Sequence, residues 1–199
     1  MILVVDSGST KTDWIALDDK GEEIFSTQTL GLNPQMLSNE ILNERIKNNF
    51  DIYKNRKSVK KLFFYGAGCG VDSTQERILK IFKSIFINSE FDIKEDTYAA
   101  VYSAVDIGTP SIVNIIGTGS NCSYYDGKDV IQKVQSLGYV LMDYASGNYY
   151  GKYLIRAYYF NKMPEYLREE FAKNYDLSPN TIKNRLYREE NPNTYLAGF

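Results

Sequence analysis

Met1-Ile-Leu-Val-Val-Asp-Ser-Gly-Ser-Thr-Lys-Thr-Asp-Trp14 is the stretch whose reading decides the fold. The apolar run Met1–Val5 reads as a buried strand. It ends in Asp6 and breaks at once into small hydroxyl residues and a glycine. Such a turn suits phosphate. The glycine lets the backbone approach an anion, and the amides of Gly8, Ser9 and Thr10 with the hydroxyls of Ser9, Thr10 and Thr12 are donors. Asp6 at the strand tip suits a hydrated Mg²⁺ facing the same phosphates. Lys11 is either a phosphate contact or a solvated lysine. The competing reading is an ordinary hairpin with a polar turn, because Gly-Ser turns are common.

Composition narrows the classes. A chain of 199 residues can bury a sizeable core as one large or two small domains. A net charge of −2 gives no case for nucleic acid or an anionic membrane as partner. No apolar run is long enough to cross a bilayer, and the start lacks the basic region and cleavage site of a signal peptide. Cys69 and Cys122 make no metal spacing, so a reduced cytoplasmic setting is expected. The chain has no histidine. That removes Ser-His and Cys-His nucleophiles and histidine metal sites. Acid–base work must fall to carboxylates, Lys or Tyr.

Working outward from the first turn, strands are expected over Thr12–Leu17 and Glu23–Thr29, joined by Asp18-Asp-Lys-Gly21. The loop Gly31–Pro34 leads to a helix over Ser38–Asn48. A strand over Lys61–Tyr65, the loop Gly66–Gly70, a helix from Asp72 or Ser73 to about Phe86, a strand over Phe91–Lys94 and a helix over Asp96–Val105 complete a mixed sheet covered by helices. The pattern then restarts. Ser111–Ile116 is a strand, Gly117-Thr-Gly-Ser120 a small-residue turn, Asn121–Tyr125 a strand and Val130–Val134 another. From Ala145 the chain reads as helical over about Ala145–Phe160, Pro164–Lys173 and Ser178–Tyr187. The layout of strand, turn, strand, turn, strand thus occurs twice.

Two such turns, each after an apolar strand, resemble the two phosphate motifs of the actin, Hsp70 and sugar-kinase superfamily. No Walker or dinucleotide-binding glycine motif competes with them. The closer resemblance, over nearly the whole chain, is to the N-acetylglucosamine kinase and BadF/BadG-type ATPase family. It rests on Asp6–Thr12, Glu95-Asp96 at a helix start, Gly117-Thr-Gly-Ser-Asn-Cys122, and Gly138 followed by Asp143-Tyr-Ala-Ser-Gly147. The family usually has Glu-Gly where this chain has Tyr144-Ala145, which puts the local backbone geometry in question.

The resemblance implies a ribonuclease-H-like α/β fold of the actin/hexokinase type with duplicated domains, about 1–108 and 109–199, the second incomplete. It implies a kinase that uses ATP and Mg²⁺ to phosphorylate an amino sugar such as N-acetylglucosamine or glucosamine. Asp6 would hold Mg²⁺. Gly8 to Thr12 and Gly117, Thr118, Gly119 and Ser120 would hold phosphate. Asn33, Asp96, Thr118, Gly119, Asn121, Asp143 and Gly147 would line the sugar site, and Asp96 would be the catalytic base. On the bare sequence Asp96 is equally a helix N-cap, and the two roles are compatible. Asn33 and Asp143 have turn and cap readings of their own, and Glu95 reads as a solvated neighbour.

Two other classes stay open: an ATPase that activates a partner enzyme, and a non-catalytic sugar-binding or regulatory module. The dehydratase activators of the broader family hold an iron–sulfur cluster on two cysteines. Cys69 in a glycine loop and Cys122 after the second turn do not match that arrangement and read as small buried thiols. The adenosine pocket of family members lies in a C-terminal segment that has no counterpart before Phe199. The chain is therefore read as a fragment, or as a shortened relative with weak nucleotide affinity and exposed apolar surface. A homodimer is held open.

Overall fold

The computed structural model describes every residue except Ser9, Gln135 and Glu190. The chain divides into two units, Met1–Asp106 and Ile107–Phe199.

In the first unit, β1 (Ile2–Ser7), β2 (Lys11–Leu17) and β3 (Glu23–Leu30) form an antiparallel meander. β4 (Lys61–Gly66) pairs parallel to β1, and β5 (Glu90–Glu95) parallel to β4, in the order β3-β2-β1-β4-β5. Burial alternates along β1, β2 and β4, as the two-residue period of a strand requires. Leu3, Val5, Trp14, Ala16, Leu62 and Phe64 thereby share one core with buried residues of helices α1 (Asn39–Lys47), α2 (Phe50–Asn55) and α3 (Asp72–Ile85). Phe82 of α3 is the aromatic hub, edge-on to Phe64 at 5.0 Å and to Trp14 at 6.4 Å. Truncating such a fully buried ring costs about 3–5 kcal/mol. α4 (Thr97–Ala104) packs on the other face of the sheet, where Tyr102 meets Tyr65 at 6.1 Å.

In the second unit, β6 (Ser111–Ile116), β7 (Ser120–Tyr125) and the two-residue β8 (Val130–Ile131) form an antiparallel sheet in chain order. Helices α5 (Gly147–Tyr159), α6 (Glu165–Asn174), α7 (Pro179–Tyr187) and α8 (Pro192–Ala197) follow. α8 packs on α5 at Gly151, where a Cβ would stand 1.7 Å from the Leu196 carbonyl oxygen. Ile112 and Ile116 are 69 % and 68 % exposed, so the outer face of β6 carries apolar side chains at the surface.

Three expectations change. α2 lies in a stretch for which no element is expected from the sequence; at six residues it is too short to display a helical period, and its N-cap bond from Ile52 N–H to Asn49 Oδ1 (3.1 Å) marks it instead. The strand expected over Val130–Val134 stops at Ile131, because β7 offers partners only at Tyr124 and Tyr125. α5 begins at Gly147, not Ala145. Ser146 caps it, accepting from Tyr149 N–H, and Ala145 has a left-handed φ of 62° that cannot belong to the helix.

Candidate functional site

The site is built at the carboxyl ends of β1, β4 and β5, where open α/β sheets place functional loops. Register carries Ser7, Gly66 and Glu95 to one level across the three strands. Asp96 follows Glu95 directly and occupies the N-cap position of α4 in αR conformation, but its side chain makes no capping hydrogen bond. Burial pushes the Asp96 carboxyl above the ordinary carboxylate range. Glu95 pushes it further and Asp6 adds to this, while the Thr97 amide pulls the other way. A carboxylate so disposed holds a proton more readily than a solvated one, which suits a base. Glu95 is half-buried rather than solvated. Its Oε1 lies 3.1 Å from where a Cβ on Gly70 would stand, and its Oε2 accepts from Thr97 Oγ1 at 3.4 Å.

The first turn is a hairpin as well as a candidate phosphate site. Gly8 N–H donates to the Lys11 carbonyl at 3.0 Å, so that amide is committed to the turn. Ser9 lies outside the described residues. Thr10 and Lys11 are exposed, and Lys11 pairs with Asp13 at 2.9 Å. Thr12 is fully buried, its hydroxyl 2.8 Å from Ser7 Oγ and donating to the Leu30 carbonyl. Thr12 therefore braces the turn from behind and does not offer its hydroxyl outward. Ser7 Oγ in turn accepts from Leu32 N–H at 3.0 Å, tying β1 to the loop that carries Asn33.

Asp6 is exposed and stands opposite Asp13 across the β1–β2 ladder. Partial desolvation of its carboxyl at the sheet surface raises its pKa, Asp13 raises it further, and Lys11 opposes them. Asp13 took no role in the sequence reading. The symmetry of the hairpin, with Ser7 opposite Thr12 and Asp6 opposite Asp13, was the signal available. Among the described residues no group of three or more acidic or cysteine side chains could hold a metal by protein ligands alone. Mg²⁺ needs no such cage, because it keeps several waters and binds through one or two carboxylates plus phosphates. Two carboxylates paired against their own repulsion fit that requirement.

Asn33 is buried. Its Oδ1 accepts from Gln35 N–H at 2.9 Å in a turn, and a Cβ on Gly68 would stand 2.2 Å from it. Gly68, at φ 81°, thus makes room for Asn33. Cys69 is fully buried beside them, its thiol pushed up to about 12 by burial, with Asp96 and Glu95 adding to it. The other cysteine, Cys122, is exposed, contrary to the expectation of two buried thiols.

In the second unit the turn between β6 and β7 is tied to the start of α5. Gly117 N–H donates to Gly119 O at 2.9 Å, Gly147 N–H to Gly117 O at 2.8 Å, and Ser120 Oγ to Tyr144 O at 2.7 Å. Thr118 is exposed. Gly119 has no room for a side chain, since a Cβ would come within 2.7 Å of Asp143 Oδ2. Asp143 does not cap α5; its carbonyl accepts from Ser146 Oγ at 2.6 Å, and its φ of 61° turns the chain sharply. Asn121 accepts from Ser123 Oγ at 2.7 Å. Ser120, Asn121 and Asp143 line one cavity of about 410 Å³ whose apolar wall includes Val134, Met142 and Tyr144. That volume suits a small molecule. Asn148, which the sequence reading passed over, reaches both Thr118 and Asp143. It is fully buried, which only the packing of α5 shows.

No protein-family model matches this chain, and no curated protein matches it in sequence. Solved structures do. Across the whole of this chain and 70 % of the other, it superposes with TM-score 0.86 and 32 % identity on a structure described as a putative N-acetylglucosamine kinase from Porphyromonas gingivalis. A protein of the same description from Chromobacterium violaceum matches with TM-score 0.67 and 16 % identity over 99 % of this chain and 72 % of its own. A structure described as a putative sugar kinase from Cytophaga hutchinsonii matches with TM-score 0.54 and 17 % identity, over 98 % and 73 %. The last two share the fold. Through the first, at 32 % identity over this chain's entire length, the chain belongs to the sugar-kinase family of the Porphyromonas gingivalis protein.

Proposed function

We propose that this chain carries an ATP- and Mg²⁺-dependent kinase activity that phosphorylates an amino sugar, N-acetylglucosamine or glucosamine. The observation that carries the reading is Asp96, a carboxyl raised by burial and by Glu95 at the end of β5. Phosphoryl transfer to an alcohol needs an acceptor for the hydroxyl proton near the γ-phosphate and little other covalent help. With no histidine in the chain, Asp96 takes that proton as the sugar oxygen bonds to phosphorus and the bond to the leaving ADP oxygen breaks. Bound Mg²⁺ would neutralise phosphate charge, with Asp6 and Asp13 holding its waters. In the first unit Thr10 and Lys11 face phosphate, supported by Gly8, Ser9 and Thr12. In the second, Gly117 to Ser120 do so, while Asn121, Asp143 and Gly147 shape the sugar pocket. Asn33 sets the loop beside Asp96.

The repeated meander, β1-β2-β3 and β6-β7-β8, supports reading the two units as a duplicated pair; membership of the wider BadF/BadG-type ATPase grouping rests on the resemblance of the motifs alone. A cytoplasmic setting accords with two unpaired cysteines.

Incubation with γ-labelled ATP and N-acetylglucosamine tests the function. Labelled sugar phosphate supports the kinase. Phosphate release that ignores sugar points to an ATPase, and sugar binding with neither product to a binding module.

A further inference from the structure

We infer that Asn148 is the positioning residue that sets the Asp143 carboxylate over the Gly117–Ser120 turn, and through it the affinity for sugar. The second clause rests on the kinase reading above; the first does not. Asn148 is fully buried in the first turn of α5. Its Nδ2 donates to the Thr118 carbonyl at 2.5 Å and to Asp143 Oδ2 at 3.3 Å, and its backbone N–H donates to the same Thr118 carbonyl at 3.1 Å. One side chain therefore ties the turn to the carboxylate.

The cost of this arrangement argues that the amide is kept for its donor. Oδ1 of Asn148 is buried without a partner. An acceptor taken out of water unpaired is a penalty that alanine or leucine at this position would avoid. The loop it serves is itself strained. Asp143 and Ala145 both have left-handed φ, at 61° and 62°, and such residues persist only where their surroundings over-determine them. Gly119 completes the fit by leaving space for Asp143 Oδ2. With Oδ2 engaged by Asn148, Oδ1 has no donor among the described residues and would be the oxygen left to accept from a sugar hydroxyl.

The test compares wild type, Asn148→Leu, Asn148→Asp, Asp143→Asn and the double variant Asp143→Asn/Asn148→Leu, each first shown to be folded by circular dichroism. Two readouts are taken. The carboxyl-carbon chemical shift of Asp143 moves in Asn148→Leu and Asn148→Asp, while those of Asp126 and Asp129 stay. Calorimetric affinity for N-acetylglucosamine falls about tenfold in Asn148→Leu, the scale of one charge-assisted hydrogen bond, and Asn148→Leu adds no further loss when Asp143→Asn is present. An unmoved Asp143 signal, or an equal loss in both backgrounds, overturns the inference. If wild type binds no amino sugar, the kinase reading loses its substrate, and the Asp143 signal alone decides the positioning role.

Discussion

Asp6 and Asp13 stand directly opposite each other across the β1–β2 ladder, and Lys11 answers that charge with a 2.9 Å ion pair to Asp13. Like charges in opposed positions destabilise a sheet. A ligand that brings positive charge relieves them, which is why this corner of the hairpin matters.

Asp6→Asn is expected to weaken Mg²⁺-dependent nucleotide affinity by at least about tenfold, since it removes one of the two carboxylates proposed to hold the ion's waters. Nucleotide binding measured without Mg²⁺ should not weaken, because a negative charge facing phosphate is gone. Calorimetry with and without Mg²⁺ reads both. An equal loss in the two conditions assigns Asp6 to the fold instead.

Asp96→Asn should lower turnover by roughly 10²–10⁴, the usual contribution of a positioned base. Its effect on stability runs the other way. The Asp96 carboxyl is raised by burial, then by Glu95, so its contribution to stability is full below the ordinary carboxylate pKa and is lost as pH rises through its own higher one. At pH 7 the variant should melt above wild type, and the gap should close as pH falls below about 4. The acid limb of the activity profile should lie above the ordinary carboxylate range and move down in Glu95→Gln. Activity independent of pH in that region would remove Asp96 as the base.

Ala145→Gly should stabilise the protein by about 0.5–1 kcal/mol. Ala145 sits at φ 62°, where a Cβ costs roughly 1–2 kcal/mol, and the freer unfolded chain of glycine takes back part of the gain. Thermal melting reads the difference, and a lower Tm contradicts the backbone assignment.

Gly151→Ala should destabilise by about 1–3 kcal/mol. Helix propensity favours alanine by about 1 kcal/mol. The new Cβ would stand 1.7 Å from the Leu196 carbonyl oxygen, on backbone that cannot swing aside, and overpacking of that kind wins. Denaturant unfolding checks the sign.

Thiol labelling at pH 8 should proceed in two phases. Cys122 is exposed and reacts first; Cys69 is buried, with its thiol pushed up to about 12, and reacts only on unfolding. Cys122→Ser should abolish the fast phase and leave the slow one.

The sequence alone determined the order of strands in the first unit and the two turns, because strands announce themselves by a period of two and the turns by Gly, Ser and Thr. It also brought Asp96 forward, through its place between a strand end and a helix start and through what the family resemblance implies, with no histidine to compete. The sugar-kinase part of the likeness drawn from those motifs agrees with the Porphyromonas gingivalis structure on which this chain superposes. Only the tertiary structure decided which turn groups are free. Thr12 and the Gly8 amide look like donors in the sequence, yet hydrogen bonds to the Leu30 and Lys11 carbonyls consume them. Only the register placed Asp13 against Asp6, and only packing half-buried both Asp96 and Glu95, so that burial and then Glu95 raise the Asp96 carboxyl. Asn148 was illegible for the same reason. Its partners, Thr118 and Asp143, lie 30 and 5 residues away in sequence, and a contact made by folding leaves no local pattern to read.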